Sequence, residues 1–194
     1  MRTPGPLVLE GDAVRLEPLE QRHAEALLEA AADPEIWLYL PAYQPQSLAA
    51  MQAWIEGANK AATSGDQIPF AILDPVTGRA VGSTRFLEIR WDSRALEIGW
   101  TWLAGPVQRT RVNTETKFLL LRHAFEDLGA LRVQFKTDGR NVRSQRALER
   151  IGALKEGVLR KQRINHDGYV RDAVYYSILD DEWPAVWAGL VEKL

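Results

Sequence analysis

The nine residues Val107-Gln108-Arg109-Thr110-Arg111-Val112-Asn113-Thr114-Glu115 stand between a strand-like run and an apolar helix, and that placement points to a strand–loop–helix unit at the centre of the fold. Ahead of them, Ala95 to Leu103 reads as a strand that Gly105-Pro106 ends. Behind them, Asn113 to Leu128 carries Phe118, Leu121, Phe125 and Leu128 on one helical stripe. Leu119, Leu120 and Ala124 widen that stripe, and Gly129 sits where a C-terminal cap belongs. A helix this apolar is expected to be covered on most sides. Leu131 to Thr137 reads as the next strand, so the strands flanking the helix should run parallel through a right-handed crossover. The loop meets the helix start, where unpaired backbone N–H groups and the positive end of the dipole form an anion site. Arg109 and Arg111 add donors suited to phosphate geometry. Taken alone, the same residues also fit a plain Asn113 N-cap with two solvated arginines.

Outward from this unit, Ala13 to Pro18 alternates as a short strand, and Glu20 to Ala32 has helical spacing stopped by Asp33-Pro34. A second helix is expected from Ser47, its cap, to Thr63, with Met51, Trp54, Ile55 and Ala58 on one face. Ile68 to Leu73, Ala80 to Ile89 and Ala95 to Leu103 read as an antiparallel meander. After the central unit come a helix from Asn141 to Ile151, closed by Gly152, then strands Ala153 to Ile164 and Tyr169 to Leu179 about an Asp167-Gly168 turn. Asp181 to Leu194 reads as a terminal helix. The fold class is therefore mixed α/β: a mostly antiparallel sheet holding one parallel strand pair, with helices on both faces.

The 194 residues suffice for one domain, and no repeat, low-complexity tract or linker divides them, so residues 1–194 are read as a single domain. With 46% hydrophobic and 26% charged residues, neither a disordered chain nor a membrane protein is expected. The absence of cysteine excludes a disulfide framework, a thiol nucleophile and a Cys-ligated zinc. His23, His123 and His166 lack metal-ligand spacing, so no metal is expected, and His123 in its apolar helix reads as a packed residue. Met1 to Pro6 has no apolar h-region and no run is long enough to span a bilayer, so the cytoplasm is the expected compartment. The net charge of −2 conceals a segment from Val107 to Arg163 with fourteen basic and six acidic residues. That half should face a polyanion. A sequence pI near 6.0 and the lack of a recognition motif argue against nucleic acid.

Three stretches in order carry a family resemblance. Ala95-Leu96-Glu97-Ile98-Gly99-Trp100 resembles the acidic-apolar-Gly-aromatic run on the fourth strand of the GNAT acetyltransferases. Gln108 to Asn113, with the helix after it, resembles their pyrophosphate loop, although Arg111 and Asn113 stand where small residues are usual. Asn141-Val142-Arg143-Ser144 resembles the Asn-x-x-Ser helix of the branch that includes the ribosomal-protein N-terminal acetyltransferases. The resemblance runs from about Gly11 to Trp183. It implies a GNAT-type twisted sheet with a splayed parallel pair, and acetyl-CoA as cosubstrate. It lays pantetheine along Trp100 to Leu103, so Trp102 and Leu103 join Gln108, Arg109, Thr110, Arg111, Val112, Asn113 and Thr114 as expected CoA contacts. Arg143 or Arg146 is expected at the ribose phosphate. Because glycine usually lets backbone approach phosphate, Arg111 must turn its side chain aside or supply part of the contact itself.

The resemblance also implies the chemistry, transfer of acetyl to an amine. Glu97 is the candidate base, Glu88 the runner-up, and the alternative for Glu97 is a carboxylate paired with a neighbour such as Arg85. The tyrosine that protonates the departing thiolate in many relatives is replaced by Leu148. By resemblance Ser144 donates to the sulfur and Asn141 orients the acetyl or pantetheine group, while both residues equally suit a helix cap. The acceptor is a protein N-terminus or a small-molecule amine, bound around Trp37 to Tyr43 and the Asn165 to Tyr169 hairpin. A homodimer suits the branch. The competing reading is a CoA-binding protein that has lost catalysis, supported by the replaced glycines and the missing tyrosine.

Overall fold

The computed structural model describes residues 7–165 and 167–194; the readings of Met1 to Pro6 and of His166 fall outside the described residues. Among these, eight strands form one sheet: β1 (Leu9–Glu10), β2 (Arg15–Pro18), β3 (Ile68–Leu73), β4 (Ala80–Arg90), β5 (Ala95–Leu103), β6 (Arg132–Asp138), β7 (Leu154–Ile164) and β8 (Val170–Leu179). Their order across the sheet is β1-β2-β3-β4-β5-β6-β8-β7, and β5 with β6 is its parallel pair. Five α-helices accompany them: α1 (Ala24–Ala30), α2 (Leu48–Ala61), α3 (Arg111–Arg122), α4 (Val142–Arg150) and α5 (Trp183–Val191). No helix among the described residues is long and apolar enough to cross a membrane.

Strand alternation divides the core in two. Phe70 and Ile72 of β3 join α3 and α5 in the larger cluster, with Phe118, Leu121, Trp183 and Leu190. Their neighbours Ala71 and Leu73 point the other way, into a smaller cluster with Leu27, Met51, Ile55 and Trp102 under α1 and α2. The sheet is therefore covered on both faces across β3 to β5, whereas β7 at its edge is largely exposed.

Several element ends differ from expectation for local reasons. α3 starts at Arg111 rather than Asn113, because the Thr110 side chain accepts a hydrogen bond from the Val112 N–H at 3.3 Å and so caps it. The same helix widens into a π turn at His123–Asp127, where the Leu128 N–H reaches the His123 carbonyl, and Gly129 then takes φ +65. The first predicted helix begins as a 3₁₀ turn, Gln21–His23. β1 is an addition to the expected strands, too short to give an alternation signal. Its loop is held by Glu115 of α3, whose buried carboxylate accepts from the backbone N–H groups of Asp12 (3.1 Å) and Ala13.

Candidate active site

The pairing of β5 with β6 runs Ala95↔Arg132, Leu96↔Val133, Glu97↔Gln134 and then stops, although both strands continue. The cause lies in β5. Opposite β4 the register shifts between Ser83 and Arg85, and Trp100 takes φ +51, a conformation that strains a non-glycine residue by about 1–3 kcal/mol. The bulge turns β5 away from β6. A cavity of about 810 Å³ runs through the opening, lined on the helix side by Lys117, Ser144 and Leu148 and on the opposite face by Glu88, Lys136 and Arg171. On β4, Gly82 permits the tight approach, since a Cβ there would stand 2.2 Å from the Trp102 carbonyl oxygen.

At one mouth lies the loop before α3. Gln108 spans it: Nε2 donates to the Leu103 carbonyl at 2.8 Å, and Oε1 accepts from Arg143 Nη1 at 3.0 Å. Arg109, Thr110, Arg111, Asn113 and Thr114 all line the cavity, and Arg109 takes φ +62. Arg111 is turned aside, its guanidinium 3.6 Å from Asp12 and 3.7 Å from Glu115, so the helix terminus is not blocked by its side chain. Val112 departs from expectation. Its side chain is packed in the larger core and does not line the cavity, because one position along the first turn rotates it towards the sheet.

On α4, Asn141 Oδ1 caps the helix by accepting from the Ser144 N–H at 3.0 Å. Asn141 and Ser144 line the cavity, as do Arg143, Ala147, Leu148 and Ile151. The Ser144 hydroxyl has no hydrogen-bond partner among the described residues. Arg146 does not line the cavity. It lies about 60° around the helix from Arg143, at the edge of the side that faces the opening, so of the two arginines expected at the ribose phosphate only Arg143 lines the cavity.

Glu97 sits at the point where the strands part, 2% exposed. Its Oε2 lies 3.1 Å from Lys136 Nζ and accepts from Gln134 Nε2 at 3.1 Å. Burial pushes its pKa up, more than the ammonium of Lys136 draws it down. Glu88, with φ +50, takes the other side of the same two donors, 2.8 Å from Lys136 Nζ and 3.1 Å from Gln134 Nε2. The expected partner Arg85 is elsewhere. Its guanidinium lies 4.2 Å over the ring of Trp100 and 5.2 Å from that of Trp54, and burial lowers its pKa to about 10. Trp102 and Leu103 line the cavity, Trp102 also closing an aromatic cluster with Trp37 (5.6 Å) and Trp54 (6.0 Å).

Sequence reasoning overlooked Lys117. Its Nζ reaches into the gap between the parted strands, donating to Thr101 Oγ1 of β5 at 2.7 Å and lying 5.7 Å from the Phe135 ring of β6. It has no carboxylate partner among the described residues, and burial lowers its pKa to about 7. The signal was present in the sequence: a lysine three residues after Thr114 and four before Leu121, on the covered side of an apolar helix.

The acceptor region expected around Trp37 to Tyr43 is partly realised. Tyr39, Leu40 and Pro41 line the cavity, whereas Trp37 is consumed by the aromatic cluster and Tyr43 is exposed. The described residues of the Asn165 to Tyr169 turn do not line it; Arg163 and Arg171, which flank the turn, do. His123 is packed, stacking on Phe86 at 6.2 Å with Nδ1 2.6 Å from Asp127.

The family model for the acetyltransferase (GNAT) domain matches residues 13–154. The Bacillus subtilis (strain 168) protein YdaF, provisionally named a ribosomal N-acetyltransferase, is 36% identical over 91 residues. That stretch is 47% of this chain and 49% of YdaF, so the alignment spans about half of either protein. A crystal structure from T. thermophilus, provisionally described as an acetyltransferase, is 43% identical and superposes with a TM-score of 0.89 over 98% of both chains. Mycobacterium smegmatis RimJ, solved in complex with CoA-disulfide, is 23% identical with a TM-score of 0.80 over 97% of this chain and 92% of RimJ, a likeness of fold.

Proposed function

The chain belongs to the GNAT acetyltransferase family, and from that premise we propose that it transfers the acetyl group of acetyl-CoA to a primary amine, a protein N-terminal α-amine or that of a small molecule. The observation that carries the reading is the parting of β5 from β6 around a cavity that crosses the sheet, with Glu97 at the vertex. RimJ, of the same fold, takes a CoA compound. The residues here suit one. Backbone N–H groups at the start of α3 face the mouth for the diphosphate, Arg143 stands beside Gln108, and the edge of β5 from Trp100 to Leu103, parted from β6, is free to pair with an extended pantetheine.

Acetyl-CoA supplies the acyl carbon and a thiolate leaving group. The amine must arrive neutral. An α-amine, with pKa about 7.7–8.0, is neutral in roughly a tenth of molecules at pH 7, whereas a lysine needs about 4 kcal/mol of help. Glu97, its pKa raised by burial, takes the proton that the amine loses as the new N–C bond forms and the C–S bond breaks, directly or through one water. Asn141 holds Ser144 at the start of α4, and the free Ser144 hydroxyl donates to the departing sulfur. Lys117, between the parted strands, adds a cationic field that favours negative charge there.

Release of free thiol on adding amines to enzyme and acetyl-CoA tests the reading. Binding of acetyl-CoA by calorimetry with no thiol released by any amine would leave a CoA-binding protein in its place. Ser144→Ala is expected to lower turnover more than acetyl-CoA affinity.

A further inference from the structure

Two arginines on the face away from α3 are short of partners. Arg163 of β7 is directly opposite Arg171 of β8, and both line the cavity. Arg171 is 5% exposed, its Nε is sealed from solvent, and its guanidinium makes no hydrogen bond or ion pair among the described residues. Within the same set, Arg163 donates only to the neutral amide oxygen of Asn165, at 3.3 and 3.1 Å. Burial lowers the pKa of both, and Arg163 lowers that of Arg171 further. The carboxylates in range are taken: Asp138 is held by Arg140 at 3.1 and 3.0 Å, and Glu97 by Lys136.

A buried cation without a counter-ion costs several kcal/mol, and a pair facing each other costs more. Such a pair is stabilised by an anion that arrives with a ligand, and guanidinium groups match carboxylate or phosphate oxygens two at a time. The sheet sets the ligand's dimensions. Glu97 is beside Gln134, and Asp138, four residues on along β6, pairs with Ala173, two residues from Arg171. Arg171 therefore stands level with a point six residues beyond Gln134, about 20 Å along the strands; the arginine and glutamate side chains, which line one cavity, together shorten the gap to roughly 10 Å. An α-carboxylate next to the amine falls short of that, whereas an acidic side chain two or three residues along an extended peptide reaches it.

Resting on the acetyl-transfer reading above, we propose that Arg163 and Arg171 bind an anionic group on the acceptor, several bonds removed from the amine that is acetylated. The test compares kcat/KM for N-terminal serine peptides carrying aspartate or asparagine at the second and third positions, with free aspartate and free asparagine alongside. The aspartate peptide is expected to be preferred by at least about tenfold, the scale of a charge-assisted hydrogen bond. Arg171→Gln should lower kcat/KM for the aspartate peptide by a larger factor than for the asparagine peptide and so erase the preference, and Arg163→Gln supplies a second variant if the first fails to fold. Equal rates on the two peptides, or equal losses on both in the variants, would overturn the proposal. Discrimination confined to the free amino acids would support the anion site and overturn its spacing. Calorimetry of the peptides with enzyme and CoA gives a readout independent of turnover: an acidic peptide that binds but is never acetylated supports the arginine pair and removes the acetyl-transfer reading.

Discussion

Replacing Lys117 by Met tests whether an unpaired amine lies buried between the parted strands. The folded state lowers this lysine's pKa from 10.5 to about 7, through burial. Between those values the unfolded chain binds more protons than the folded one, so Lys117 makes stability rise with pH across that window. The slope is about 1.4 kcal/mol per pH unit well above pH 7, and about half-titration at pH 7 trims the first step. The wild type should therefore gain about 2 kcal/mol on Lys117→Met between pH 7 and pH 9. Taking the difference between the two proteins cancels every other titrating group. At pH 7 the variant should be the more stable, since the buried charge costs more than the hydrogen bond to Thr101, worth about 1 kcal/mol, returns. Urea unfolding of both proteins at pH 7, 8 and 9 measures this. A stability difference that does not change with pH would mean that the ammonium stays charged and hydrated, and the cationic role at the sulfur would lose its geometric basis. Turnover of the variant should fall even as its stability rises.

Other perturbations probe the remaining parts of the site. Glu97→Gln keeps the shape of the side chain and removes the base; kcat should fall by about a hundredfold or more, and the rise of kcat/KM with pH through the elevated carboxyl pKa should vanish from the pH profile. Arg143→Ala should weaken CoA binding by roughly tenfold in calorimetry, while Arg146→Ala, just outside the cavity lining, should have a smaller effect; equal effects would discredit the assignment of the cleft mouth. Gly82→Ala drives a methyl into the Trp102 carbonyl and should destabilise the protein by about 1–3 kcal/mol in thermal or urea unfolding, with loss of acetyl-CoA binding as β5 is displaced.

Periodicity and punctuation are local properties, and they made the elements legible. The apolar stripe of α3 from Phe118 to Leu128, the alternation of β3 to β5 and the glycines at 129, 152 and 168, all at positive φ, encode helices, strands and turns within a few residues of each other. From these the parallel β5–α3–β6 unit and the helix start at the cavity mouth could be read, and with them much of the cavity's lining. Contacts between segments distant in the chain were not encoded in this way. Whether Glu97 met Arg85 or Lys136 depended on a bulge that twists β5 at Trp100 and on the register of β6, neither of which has a local signature. The rotation of α4 that leaves Arg143 at the cavity and Arg146 just outside it, the depressed pKa of Lys117 and the guanidinium pair without a counter-ion at Arg163 and Arg171 have the same origin. Burial and charge balance are sums over neighbours that only the folded chain brings together, so the chemistry of these side chains was decided by tertiary structure and the scaffold by sequence.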